Sequence, residues 1–141
     1  MTVLDRVEAR RLPELLALFA HAWWAASRDD ASISLMLEGS TVIVALVDDP
    51  SEQLVAFARA ITDGAFLAVV LDVIVAPRHR GLGLGGRLMQ EILARPELAN
   101  VDSVELVCQP DVAAFYRRVG FTTEVGHSIL MRRTANPLLA P

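Results

Sequence analysis

Arg80-Gly81-Leu82-Gly83-Leu84-Gly85-Gly86 lies between a stretch that reads as a strand and one that reads as a helix. Ahead of it runs Val69-Val70-Leu71-Asp72-Val73-Ile74-Val75, apolar and rich in β-branched residues. Behind it Leu84, Leu88 and Ile92 recur at helical spacing, with Met89 and Leu93 beside them. An arginine and alternating glycines therefore occupy the first turn of a helix. That turn carries free backbone N–H groups and the positive end of the helix dipole. Glycine lets a bulky anion approach the backbone closely. The chemistry this points to is capture of a pyrophosphate.

Two kinds of pyrophosphate fit the spacing. Gly81, Gly83 and Gly86 satisfy the dinucleotide fingerprint G-x-G-x-x-G, and Asp102 or Glu105 lies about twenty residues on, as an NAD(P)-type oxidoreductase requires. Context opposes that reading. The fingerprint turn follows its strand almost directly, whereas Ala76-Pro77-Arg78-His79-Arg80 intervenes here. About half the chain also lies upstream, where a Rossmann domain would normally not have begun.

The stretch from Pro77 to Met89 more closely resembles motif A of the GNAT family of N-acetyltransferases. In that family an Arg/Gln-x-x-Gly-x-Gly/Ala pattern binds the pyrophosphate of acetyl coenzyme A. A second block, Phe115-Tyr116-Arg117-Arg118-Val119-Gly120-Phe121, resembles the family's aromatic-Tyr-x-x-x-Gly-Phe signature. Both blocks occur in order, about thirty residues apart, and the resemblance runs from about Thr41 to Arg133.

Composition narrows the classes. The 141 residues suffice for one domain with its own core, and 53% of them are hydrophobic. The net charge of −4 argues against nucleic acid as a partner. All thirteen basic residues are arginine, so a Walker-type loop and Schiff-base chemistry are excluded. The apolar stretch 65–75 is interrupted by Asp72, and no membrane span is expected. No signal peptide is read, since Asp5, Glu8 and Glu14 occupy the N-terminal region. One cysteine, Cys108, precludes an internal disulfide and suits a reducing cytoplasm. The acidic, lysine-free composition points to a cationic small molecule or basic peptide as acceptor. A homodimer stays open.

Along the chain, 1–7 holds a short strand. Leu12, Leu15, Leu16, Phe19 and Trp23 share one helical face, with Pro13 in its first turn. Residues 29–34 read as a loop and 35–37 as a short helix. Strands follow at 41–47, 54–61 and 66–75, with turns at 48–52 and Asp63-Gly64. The glycine-loop helix covers 83–94, a strand 104–108, and a helix 111–119 with Gly120 as its C′ residue. Strands at 121–124 and 128–132 close the domain, and 135–141 forms a tail. This order suits an α+β mixed sheet flanked by helices. The resemblance implies one acetyltransferase domain over 1–134, its sheet splayed between the fourth and fifth strands to admit the pantetheine arm.

The resemblance also assigns residues. Arg80 and the amides of Gly81, Leu82, Gly83, Leu84, Gly85 and Gly86 form the pyrophosphate clamp. Val73, Ile74 and Val75 offer backbone to pantetheine, and an amide near Val75 polarises the thioester carbonyl. Tyr116 is the general acid for the leaving thiolate. Phe115 walls the cofactor groove. Gln109 stands where the family often has asparagine. From the residues themselves, Asp72 is a carboxylate inside an apolar strand. Burial is expected to raise its pKa and fit it to act as the base or to bind the acceptor's ammonium. Trp24, Arg59 and Asp63 are expected on the acceptor side, a surface pair between Arg59 and Asp63 being the alternative. Cys108 has no visible activator, so no acetyl-enzyme is expected. His21, His79 and His127 lack metal-ligand spacing, and no metal is expected. A non-catalytic acyl-CoA sensor would keep the clamp without turnover.

Overall fold

The computed structural model describes residues 1–140. They form two compact units, the first Met1–Val107 and the second from Cys108 onward. The first unit is built on a five-stranded sheet in the order β1-β2-β3-β4-β5. Strands β1 (Thr2–Leu4), β2 (Val42–Asp48), β3 (Gln53–Thr62) and β4 (Leu67–Val75) are successively antiparallel. Strand β5 (Ser103–Glu105) joins β4 in parallel.

Alternation along β2 explains how two layers of helices are accommodated. Ile43 and Ala45 turn to one face, where they join Phe57 and Ile74 in a core with Leu15, Leu18 and Phe19 of helix α1 (Leu12–Phe19). The Phe19 and Phe57 rings meet edge to face, with centroids 5.6 Å apart. Ile33 of helix α2 (Asp30–Gly39) is fully buried in the same core. Helix α3 (Leu84–Leu93) packs against β2, β3 and β4 and buries Leu84, Leu88, Met89 and Ile92. The short helix α4 (Pro96–Ala99) follows it.

Helix α2 begins earlier than the sequence reading placed it. Asp29 caps it through Ser32 N–H at 2.8 Å, while Ser32 Oγ accepts from the Asp29 amide at 3.1 Å. This is a capping box with serine in place of the usual glutamate. Residues 29–34 are therefore a cap and a helical turn, not a loop. Helix α1 stops at Phe19, so His21, Trp23 and Trp24 lie in the turns after it and not on a helix.

In the second unit, helix α5 (Ala113–Arg118) follows a short 3-10 turn at Pro110–Val112. Gly120 has φ +100° and is the C′ residue, as the sequence indicates. The expected strands at 121–124 and 128–132 do not form among the described residues. The turn at Val125-Gly126-His127 exists, with Gly126 at φ +71°, but no ladder joins its arms. An extended segment becomes a strand only where another backbone satisfies its amides. Ile129, Leu130 and Met131 stay exposed, so burial does not drive the pairing either. No helix of the described residues is long and apolar enough to cross a membrane.

Candidate active site

Strand β4 carries an irregularity that the sequence does not announce. Phe57 pairs with Ile74 and Arg59 with Leu71, so two steps along β3 face three along β4. Asp72 and Val73 together oppose Ala58, which is a β-bulge. Asp72 takes φ +54°, a left-handed conformation that aspartate tolerates better than most residues. Pairing with β5 reaches only Val69 opposite Glu105. Beyond that point, from Val70 to Val75, no strand of the described residues pairs with the outer edge of β4.

The end of β4 is aimed at that free edge. The Ala76 amide donates to Val55 O at 2.8 Å, which places Val75 at a non-hydrogen-bonded position opposite Ala56. The Val75 N–H and C=O therefore face away from β3. Arg80 Nε donates to the Val75 carbonyl at 3.1 Å and ties the following turn to the strand. That turn is a 3-10 segment, Pro77–His79, followed by Gly81 at φ +79° and Gly83 at φ +80°. Gly83 is the N-cap of α3 and no side chain caps the helix. Its first amides are open to an anion. A Cβ at Gly81, Gly83 or Gly86 would meet nothing within 4 Å, so this backbone is open to its surroundings, and its amides are donors of the kind an anion takes.

Asp72 differs from its expected chemistry. Its side chain is 5% exposed, and it is held by two guanidinium groups. Arg28 grips it with both terminal nitrogens, Nη1 to Oδ2 at 2.8 Å and Nη2 to Oδ1 at 3.0 Å. Arg59 Nε donates to Oδ2 at 2.7 Å. Burial pushes the Asp72 carboxyl up, but the hydrogen bonds and charges of the two arginines outweigh it, and its pKa is lowered. A carboxylate stabilised in its charged form is a poor proton acceptor near neutral pH. The expectation of a raised pKa is overturned, and the arginine pair argues against the general-base role.

Arg28 was not legible as a site residue. It lies 44 positions from Asp72 in a turn with no motif. Its guanidinium stacks 5.1 Å from the Phe19 ring centroid and reaches Met36 Sδ at 3.6 Å. The hydrophobic core thus fixes the arginine that fixes Asp72.

Asp63 does not pair with Arg59. Its Oδ1 accepts from the amides of Ala65 and Phe66 at 2.8 Å and of Leu67 at 3.2 Å. These bonds lower its pKa and commit the carboxylate to the turn before β4. Trp24 packs against the core while staying partly exposed, whereas Trp23 is 48% exposed; their rings meet edge to face at 5.9 Å.

In the second unit the Tyr-x-x-x-Gly-Phe block has a structural meaning of its own. The Phe121 amide donates to Tyr116 O at 3.0 Å and the Gly120 amide to Arg117 O at 3.1 Å. This is a Schellman motif, and only a residue free to take positive φ suits its C′ position. The Phe121 and Tyr116 rings meet at 6.1 Å, the apolar contact that accompanies such a cap. Phe115 lies 4.9 Å from Tyr116 on its other side. Burial, and secondarily the neighbouring Cys108, push the Tyr116 hydroxyl up to about 12. It stays protonated through the neutral range and can donate. Gln109 is exposed, and its carbonyl accepts from the Val112 amide at 3.1 Å at the start of the 3-10 turn.

An antiparallel meander, a bulged fourth strand, a glycine turn opening a helix and one parallel strand define an acetyltransferase sheet. They exclude the dinucleotide fold, which needs a mostly parallel, doubly wound sheet. The chain belongs to the GNAT family. The family's acetyltransferase (GNAT) domain matches residues 38–123. The chain is 36% identical over 120 residues to the uncharacterized N-acetyltransferase ycf52 of Porphyra purpurea, covering 84% of this chain and 68% of that protein. It is 46% identical over 70 residues to serotonin N-acetyltransferase 2 of rice (Oryza sativa subsp. japonica), covering 50% of this chain and 35% of that protein. The chain spans only part of the curated relatives it matches. Among solved structures it is similar to a GNAT-family acetyltransferase of Xanthomonas campestris pv. campestris, with a TM-score of 0.77 and 30% identity. That match covers 95% of this chain and 94% of the other. Membership means coenzyme A-dependent acetyl transfer at the level of the family.

Proposed function

We propose that residues 1–134 work as one domain that transfers acetyl from acetyl coenzyme A to a primary amine by direct attack in a ternary complex. The observation that carries this reading is the continuity of the bulge, the free β4 edge and the uncapped glycine turn within one short stretch, 72–86. Arg80 and the amides of 81–86 hold the pyrophosphate, with charge-assisted and dipolar attraction. The outward backbone groups of Val75, with the backbone of Val73 and Ile74 beside it, hold the pantetheine amides. Gln109 and Phe115 complete the cofactor contacts. The bound cofactor supplies an activated acyl thioester.

Tyr116 donates its proton to the departing sulfur. A phenol raised to about 12 is a weaker acid than a free tyrosine, yet it is always in the donating form. With Asp72 locked as a carboxylate between two arginines, the ammonium proton of the acceptor leaves to water. Cys108 takes no acetyl group. A panel of amines, followed through release of free thiol from acetyl coenzyme A, tests the activity. Calorimetry against NADH and NADPH tests the cofactor. Preferential binding of a nicotinamide nucleotide refutes the assignment, and binding of acetyl coenzyme A without turnover on any amine favours a sensor.

A further inference from the structure

We propose that Arg59 and Arg28 form an anion-binding subsite for the acceptor, which is a primary amine that also carries a carboxylate or phosphate group. This rests on the acetyl-transfer reading above and specifies the substrate class it leaves open.

The first support is charge. Two guanidinium groups share one carboxylate, and among the described residues neither makes another ion pair. The cluster keeps a surplus positive charge in a partly desolvated setting, with Arg28 27% and Arg59 13% exposed. Attraction for an anion is much stronger there than in open water. The second support is the inventory of donors. Arg59 spends Nε on Asp72, and Nη1 reaches Ser40 Oγ at 3.5 Å. Among the described residues Nη2 has no hydrogen-bond partner, and the buried side-chain nitrogen or oxygen left without one is His79 Nδ1, so Arg59 Nη2 is not fully sealed in. Arg28 is gripped by the Phe19 ring and the Asp72 carboxylate, and it is thereby held ready at little entropic cost.

Position supplies the third support. Asp72 begins the bulge, and Val75 is three residues further along β4. A strand advances about 3.3 Å per residue, so the two points lie within about 10 Å. A compact molecule can place its anion at the arginines and its amine near the proposed thioester position. The surplus charge would repel a simple ammonium, whereas an internal anion cancels that cost. The same positive field favours the neutral, nucleophilic form of the amine. This local charge runs against the cationic acceptor suggested by the overall acidic composition.

The test uses matched amines on the intact chain: ethanolamine against phosphoethanolamine, and butylamine against 4-aminobutyrate. At least one anionic member is expected to show a kcat/KM about 10- to 100-fold above its neutral partner, mainly through KM, the range of one or two charge-assisted hydrogen bonds. Arg59→Gln should collapse that ratio, and Arg59→Lys should restore part of it. Calorimetry of phosphoethanolamine and 4-aminobutyrate on protein saturated with coenzyme A reads the subsite without turnover. Equal or reversed preference in the wild-type chain, or no binding of either anionic amine, overturns the subsite. Acetylation without anion preference leaves the acetyl-transfer reading intact and removes only the subsite. Anion binding that Arg59→Gln abolishes, with no amine acetylated, does the reverse. The wild-type comparisons decide the matter even if the variants fail to fold.

Discussion

Asp72→Asn isolates the charge at the centre of the bulge. Asparagine keeps the side-chain shape and tolerates the left-handed backbone at φ +54°, so strain should not change greatly. What changes is that two guanidinium groups lose their counter-charge. Breaking a buried pair by removing one partner costs about 3–5 kcal/mol. The carboxylate here is nearly fully buried, but Arg28 is 27% exposed and keeps some hydration, so the low end applies, about 3 kcal/mol. With an unfolding entropy of about 2.1 cal/mol/K per residue, 141 residues give about 0.3 kcal/mol/K, and the midpoint should fall by roughly 10 °C. The lowered pKa adds a pH signature. A group depressed in the folded state contributes stability above its unfolded value, about 3.9, and loses it as pH falls through the folded value. The gap between wild type and variant should be full at pH 7 and shrink below about pH 4. Calorimetric melts of both chains across pH measure it. The acidic limb of the wild-type pH–rate profile should survive in the variant. An unchanged midpoint would refute the ion-pair cluster, and loss of the acidic limb would restore Asp72 as the base.

Tyr116→Phe should lower kcat by about 10²- to 10⁴-fold while calorimetric affinity for acetyl coenzyme A holds, because only the donating hydroxyl is removed. Since that hydroxyl titrates at about 12, no basic limb from Tyr116 should appear below about pH 11. Gly86→Ala places a methyl group in open space within α3 and should raise thermal stability by up to about 1 kcal/mol. Acetyl coenzyme A titrations of the same variant should show weaker binding if the cradle is filled by the cofactor; unchanged affinity removes Gly86 from it. Gly83→Ala forces alanine to φ +80° and should cost about 1–2 kcal/mol in chemical denaturation, from strain and not from collision. Cys108→Ala should retain most of the activity, with intersecting initial-rate lines. Parallel lines or an acetylated Cys108 trapped by mass spectrometry would contradict direct transfer.

Local chemistry made much of this protein legible in one dimension. The β-branched run to Val75, the glycines after Arg80 and the spacing of Leu84, Leu88 and Ile92 specify a strand, a left-handed turn and an amphipathic helix within twenty-odd residues. Gly120 and Phe121 encode a helix cap four and five residues after the tyrosine they brace, a local motif read correctly as a helix end. The start of α2 is equally local, in Asp29 and Ser32 followed by Ile33, Met36 and Leu37, with serine in place of the usual capping glutamate. Three decisions belonged to tertiary structure alone. Whether Asp72 is a base or a bound anion depends on Arg28 and Arg59, 44 and 13 residues away, brought in by the packing of α1 and the register of β3. Where the sheet opens depends on how far β5 follows β4, and whether 121–124 and 128–132 become strands depends on a pairing backbone they do not find among the described residues. Periodicity records which face a residue turns, but a pKa and a β-ladder are properties of pairs, and the partners are chosen by the fold.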